Sequence, residues 1–202
     1  MIKLGILAST KATDMQAIID AIKSKKLNAT VSVVVSNKQD AYALERARKH
    51  HIKAFFIDSE GKEREEYDKE VAKILDEYNV DLILLIGYLR ILSSWFVNKY
   101  KNKIMNIHPS LLPKYAGSMD RNVHEEILKN KEKITGATLI FVDEGTDTGP
   151  VIMKKAVEVD ENDTVDSLKE KVQKAEQEII LKAVDSFEKG KIKVDGRRVL
   201  IK

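Results

Sequence analysis

The chain has 202 residues, 43% of them hydrophobic and 33% charged, which is enough for a compact core and excludes a disordered chain. Its 35 basic and 32 acidic residues leave a formal net charge of +3, so the balance indicates neither a nucleic-acid nor a membrane partner. The lack of cysteine excludes disulfides, thiolate catalysis and cysteine-ligated metals. The N-terminus does not resemble a signal peptide, and the longest apolar run, 82–89, is too short to span a bilayer, so we expect a cytoplasmic protein.

The first half of the chain alternates between short apolar runs and amphipathic segments. The apolar runs predict strands at 2–8, 31–35, 54–57, 81–86 and 103–107. The amphipathic segments predict helices at 14–25, 41–50, 62–78 and 91–100. This alternation is typical of a parallel sheet with helices on both faces. We therefore expect an α/β fold with a single Rossmann-like, doubly wound, mostly parallel sheet.

The pattern changes after Pro113. The remaining predicted elements are a helix at 121–129, strands at 137–142 and 151–159, and a long helix at 164–188 with Thr164 as its N-cap. In the tail, Asp195 and Gly196 occupy the turn position of a predicted hairpin. We interpret 1–188 as one domain and 189–202 as a solvated basic tail, with a phosphate-steering patch as the second interpretation.

The loop after the first predicted strand is the first candidate for ligand binding, because ligands in open α/β sheets lie beyond the carboxyl ends of the strands. Its hydroxyl groups, Lys11 and the free amides of a helix N-terminus suit a phosphate group. The residues alone slightly favour an ordinary polar turn in which Thr13 or Asp14 is the N-cap. The loop contains no glycine, so it matches neither a dinucleotide fingerprint nor a P-loop.

The loop after the fifth predicted strand is a second candidate. Alternation along a strand places Asn106 and His108 on one face, where an amide and an imidazole can hold and protonate an oxyanion. The alternative is a lone histidine bonded in a turn. Asp147 is either a turn former or a carboxylate that lies beside His108 and keeps it protonated. The other histidines look like helix-end or surface residues without partners at metal-ligand spacing, so we expect no metal: His50, His51 and His124.

The run Asn-Ile-His-Pro-Ser-Leu-Leu-Pro at 106–113, followed by Asp-Thr-Gly-Pro at 147–150, resembles the folate-dependent formyltransferases. Further agreement lies in 35–38 and 87–92, and the resemblance extends from residue 1 to about 188. It is closest to the members that formylate glycinamide ribonucleotide. It implies a metal-free transfer of a formyl group from N10 of 10-formyltetrahydrofolate to an amine, with small-molecule substrates and no nucleic acid.

The resemblance also implies roles for single residues. His108 would be the general acid, Asn106 would donate a hydrogen bond to the formyl oxygen, and Asp147 would keep His108 protonated and relay protons through water. The positions that match substrate contacts are Ala12, Thr13, Asp14 and Glu176. The positions that match co-substrate contacts are Arg64, Leu89, Arg90, Ile91, Leu92 and Asn106. Without the resemblance, Arg64 and Glu176 would be interpreted as solvated helix residues.

Two departures from the family pattern leave alternatives open. The first loop is glycine-free, which is tolerable at Ala12 only if its φ is negative. Ile140 stands where the family commonly has histidine. These departures motivate a regulatory protein that binds folate or ribonucleotide without turnover, since fold does not fix function. Sibling enzymes are a further alternative, but methionyl-tRNA formyltransferase and formyltetrahydrofolate deformylase each need an additional domain, which does not fit in 202 residues.

Overall fold

The computed structural model describes residues 1–118 and 120–202 and divides into two compact units, Met1–Met105 and Asn106–Lys202. The helices are α1 (Thr13–Lys23), α2 (Tyr42–Lys49), α3 (Arg64–Glu77), α4 (Ser94–Lys99), α5 (Asp120–Lys129) and α6 (Val165–Glu188). The strands are β1 (Ile2–Leu7), β2 (Ala29–Ser36), β3 (Lys53–Phe56), β4 (Leu82–Leu85), β5 (Ile104–His108), β6 (Ile134–Phe141), β7 (Val151–Glu158), β8 (Ile192–Asp195) and β9 (Arg198–Ile201).

The sheet confirms the predicted fold class. Within the two described ranges, seven strands form one sheet in the order β3-β2-β1-β4-β5-β6-β7, and β8 pairs with β9 in a separate sheet. In the first unit, β1 runs parallel to both β2 and β4, and β2 runs parallel to β3. All four residues of β4 are buried, as expected for a parallel strand that is covered on both faces.

The second unit is built around an antiparallel pair and a long helix. The strands β6 and β7 pair antiparallel, and α6 packs against both. The predicted N-cap Thr164 is confirmed: its hydroxyl accepts the Ser167 N–H at 3.1 Å, and the Ser167 hydroxyl accepts the Thr164 N–H at 3.0 Å. The predicted tail hairpin is also confirmed, but its two turn residues are 196 and 197, because Asp195 is the last residue of β8 and pairs with Arg198.

One predicted helix is too long. The segment 91–100 is helical only from Ser94, because the Ser93 hydroxyl caps α4 by accepting the Phe96 N–H at 3.3 Å. The backbone N–H of Ser93 is held in turn by a carboxylate oxygen of Asp68 at 2.6 Å. Ile91 and its neighbours therefore lie in a loop. No helix of the described residues has the length and apolar character needed to cross a lipid bilayer.

Candidate active site

Three polar side chains of the second unit converge, as the sequence predicts. Asn106 and His108 lie two residues apart on β5, and Asp147 lies in the loop between β6 and β7. The Asn106 side-chain amide donates to Asp147 Oδ1 at 3.0 Å, and His108 Nδ1 lies 3.9 Å from Asp147 Oδ2. The Asn106 side chain carries a second N–H besides the one bonded to Asp147, since a primary amide has two donors.

The imidazole of His108 is oriented by a backbone group that the sequence did not single out. Its Nε2 lies 2.9 Å from the carbonyl oxygen of Tyr115. A carbonyl oxygen only accepts hydrogen bonds, so Nε2 carries a hydrogen in either charge state of the ring. The nitrogen that can gain or lose a proton is therefore Nδ1, which faces Asp147. The His108 side chain is only 5% exposed, so bulk water has little access to this proton.

Asp147 and Asp143 have different roles in the loop between β6 and β7. Its φ is 54°, in the left-handed region that Asp tolerates better than most residues, and its Oδ2 accepts the Gly117 N–H at 2.9 Å. The turn-forming carboxylate is Asp143, whose Oδ1 accepts the Gly145 N–H at 3.1 Å and the Thr148 hydroxyl at 2.6 Å. The Asp147 carboxylate is thus directed at the neighbouring β5 side chains while Asp143 stabilises the loop.

The segment that follows β5 is fixed by a buried threonine. The Thr138 hydroxyl donates to the Ser110 carbonyl at 2.7 Å and accepts the Leu112 N–H at 3.0 Å. The Ser110 hydroxyl donates to the Lys114 carbonyl at 2.7 Å. These bonds hold the segment that precedes the Tyr115 carbonyl and the Gly117 amide. The carbonyl contacts the His108 imidazole, and the amide contacts the Asp147 carboxylate. Thr138 is the one polar residue of the buried run 137–141. A single hydroxyl within an apolar strand could have indicated its structural role from the sequence.

The structure corrects the expected N-cap of the first loop. The N-cap of α1 is Ala12, not Thr13 or Asp14, and no side chain caps the helix. Ala12 has a φ of 45°, so the condition of a negative φ for a tolerable alanine is not met. The backbone must turn left-handed here to enter α1, and alanine adopts this conformation at a cost of about 1–2 kcal/mol. Asp14 is buried in the first turn of α1, where the helix dipole stabilises a negatively charged carboxylate.

The loop after β4 is fixed by the buried hydroxyl of Ser9. Ser9 Oγ accepts the Leu89 N–H at 2.8 Å and donates to the side-chain oxygen of Asn37 at 2.6 Å. Gly87 has a φ of 61°, and a Cβ there would lie 2.2 Å from the Thr10 hydroxyl, so this position requires glycine. The loop leaves the side chains of Leu89 and Ile91 exposed at 44% and 54%.

Other predicted contact residues differ in exposure. Leu92 is buried, and the guanidinium of Arg90 lies over the Tyr67 ring, 4.2 Å from its centroid. Arg64 is exposed at the start of α3. Glu176 is buried on α6, so its interpretation as a solvated residue is wrong. Its spacing of four residues from two buried apolar residues of α6 could have shown this: Val172 and Ile180.

Two further polar residues are buried, one on α5 and one on α3. His124 is 1% exposed on α5, so the expectation that it lies at the surface is wrong. Asp68 is 1% exposed on α3, and burial raises the pKa of its carboxyl group above the ordinary value. By accepting the Ser93 N–H, Asp68 fixes the end of the loop that carries Leu89 and Ile91.

Comparisons with known proteins identify the family of the chain. A family model described as formyl transferase matches residues 2–184. The phosphoribosylglycinamide formyltransferase of Escherichia coli is 39% identical, over 96% of this chain and 94% of that protein. The crystal structure of glycinamide ribonucleotide transformylase 1 from Symbiobacterium toebii is similar with a TM-score of 0.94 and 38% identity, covering 100% of this chain and 94% of that one.

A formyltetrahydrofolate deformylase from Pseudomonas syringae shares the fold, with a TM-score of 0.89 at 21% identity, over 99% of this chain and 65% of that one. With a family model that spans most of its length, the chain belongs to the formyl transferase family. It is a formyltransferase, and the resemblance noted from the motifs at 106–113 and 147–150 is confirmed.

Proposed function

We propose that this enzyme transfers the formyl group of 10-formyltetrahydrofolate to the amine of glycinamide ribonucleotide, a step of purine biosynthesis. The observation that carries the proposal is the convergence of Asn106, His108 and Asp147 within hydrogen-bond or ion-pair distance. The names of the E. coli and Symbiobacterium relatives support the choice of acceptor. We also propose that the enzyme is cytoplasmic and acts on small molecules, and its balanced charge gives no general attraction to nucleic acid.

Attack of the amine on the formyl carbon produces a tetrahedral intermediate with a negative oxygen. Asn106 donates its remaining side-chain N–H to this oxygen, while its other N–H stays bonded to Asp147. Such a donor stabilises the transition state by about 2.7–4 kcal/mol. Because the Asp147 bond fixes the amide plane, Asn106 is pre-oriented before substrate arrives.

His108 acts as the general acid through Nδ1. The imidazolium gives this proton to the oxyanion or to the leaving N10 of the folate, and regains a proton from the ammonium of the attacking group. Asp147 faces the same nitrogen at 3.9 Å, and a water molecule that bonds to both groups from one side would relay protons between them. The proton lost by the amine balances the proton gained by N10.

The loops after β1 and β4 supply binding contacts in this proposal. Ala12, Thr13 and Asp14 hold the phosphate of the ribonucleotide at the N-terminus of α1. Leu89 and Ile91 offer exposed apolar surface to the pterin ring of the co-substrate.

Four further residues complete the proposed contacts. Arg90 and Leu92 support the pterin contact through the backbone of the same loop. Arg64 meets the acidic end of the folate, and Glu176 contacts the ribonucleotide.

A direct assay tests the proposal. Purified protein is mixed with 10-formyltetrahydrofolate and glycinamide ribonucleotide, and release of tetrahydrofolate is followed by absorbance. We expect turnover that depends on the ribonucleotide and that falls by at least about 100-fold in His108→Ala. His51→Ala is the control, because His51 is exposed at the end of α2.

Two outcomes would favour other functions. Release of formate without ribonucleotide would indicate a deformylase, the activity of the Pseudomonas relative that shares the fold. Folate binding without turnover, even at high ribonucleotide concentration, would indicate a regulatory protein. The left-handed Ala12 in a glycine-free loop is the observation that keeps this second candidate in the test.

A further inference from the structure

The tail hairpin contributes a residue to the loop that carries Asp147. We propose that Arg197 is a positioning residue, which holds the Asp147 carboxylate in place for catalysis by clamping the loop on both sides of it. The inference rests on the proposed function of Asp147. It also assigns a role to the basic tail, which the sequence alone indicated to be solvated.

The contacts of Arg197 are specific to the β6–β7 loop. One terminal nitrogen of its guanidinium donates to the Thr148 carbonyl, and the other lies 3.5 Å from Asp143 Oδ2. Thr148 directly follows Asp147 in the chain, and Asp143 already binds the Thr148 hydroxyl. The planar, forked guanidinium presents a separate terminal nitrogen to each of the two acceptors.

The loop benefits from such a restraint because several of its residues are exposed and Asp147 has a left-handed backbone conformation. The exposed residues are 144–146. Asp147 must stay near both β5 side chains, and small displacements of catalytic groups are costly in rate. The position of the hairpin against β7 brings Arg197 to the loop from its carboxyl-terminal side.

The adjacent arginine provides a matched control. Arg198 has the same charge and is equally exposed, but it makes none of the loop contacts described for Arg197. Because the Arg197 side chain is 73% exposed, its removal leaves the buried core intact. A loss of activity in Arg197→Ala without a change in thermal unfolding would therefore report on the loop.

The experiment compares kcat and KM of Arg197→Ala, Arg197→Lys and Arg198→Ala with the wild type. We expect kcat to fall about fivefold in Arg197→Ala, the size of one lost hydrogen bond, with both KM values unchanged. Arg197→Lys should recover part of the loss, and Arg198→Ala should match the wild type. In an Asp147→Asn background, Arg197→Ala should cause no further loss, since it acts through that carboxylate.

Hydrogen–deuterium exchange of the 143–149 peptide provides a readout that does not need turnover. We expect faster exchange in Arg197→Ala than in Arg198→Ala. If the wild type lacks transferase activity but the exchange differs as expected, the proposed function is wrong, whereas the restraint of the loop by Arg197 is supported. Equal exchange and equal kcat in the two alanine variants would overturn the inference, as would an undiminished effect of Arg197→Ala in the Asp147→Asn background.

Discussion

Replacing Asp147 by asparagine removes one charge while it preserves the size of the side chain. The wild-type carboxylate accepts the Asn106 amide at 3.0 Å and the Gly117 N–H at 2.9 Å. The new NH₂ group must face one of these donors, so one bond is lost. A donor left without an acceptor in this partly buried site costs about 1–3 kcal/mol of unfolding free energy.

The catalytic effect of Asp147→Asn is larger. The variant no longer has a carboxylate facing His108 Nδ1 and no longer fixes the Asn106 amide. Since positioned acid–base catalysis contributes about 10²- to 10⁴-fold, we expect kcat to fall at least about 100-fold. Absorbance-monitored turnover at saturating substrates measures this. Glu144→Gln, which removes the same charge from an exposed residue of the same loop, should stay near wild type. An Asp147→Asn enzyme with more than about a third of wild-type kcat would refute the reasoning.

Three further predictions concern stability, each measured by urea unfolding. Because burial raises the pKa of Asp68, ionisation of this carboxyl group destabilises the fold as pH rises through its raised pKa, whereas carboxyl groups with lowered pKa values, such as Asp76 and Glu178, contribute in the opposite sense. Asp68→Asn keeps an acceptor for Ser93 and lacks this contribution, so its unfolding free energy relative to the wild type should rise with pH over that range, and a pH-independent difference would count against it. Thr138→Val leaves two backbone groups of 110–112 without their partner, so we expect a loss of about 1–3 kcal/mol, and a neutral variant would contradict this. Ala12→Gly relieves the left-handed strain and should raise stability by up to about 1 kcal/mol, whereas a loss would show that the alanine methyl group matters more.

The sequence predicted the elements and the pair on β5 because local patterns determine both. Side-chain alternation places Asn106 and His108 on one face of any strand. Burial of Glu176 could also be predicted, since it lies within the apolar stripe of α6. The two successes and the burial of Glu176, which was missed, depend only on periodicity and on short sequence spacing.

Other parts of the site have no local signature. The Tyr115 carbonyl and the Gly117 amide belong to the backbone, so their residue types do not reveal that they contact His108 and Asp147. Likewise, the contact of Arg197 with the loop at Thr148 joins residues 49 positions apart. The positive φ of Ala12 follows from the path of the backbone into α1, although alanine prefers a negative φ. Tertiary structure decides these features.

In the proposed mechanism, Asn106 and His108 Nδ1 act on one formyl carbon. A crystal structure with glycinamide ribonucleotide and an unreactive folate analogue would show this arrangement. We expect an Asn106 amide nitrogen about 2.7–3.1 Å from the oxygen that mimics the formyl group, with Nδ1 within about 3.5 Å of the reacting atoms. A complex in which the reacting atoms lie on the opposite side of the imidazole from Nδ1, or beyond the reach of Asn106, would contradict it.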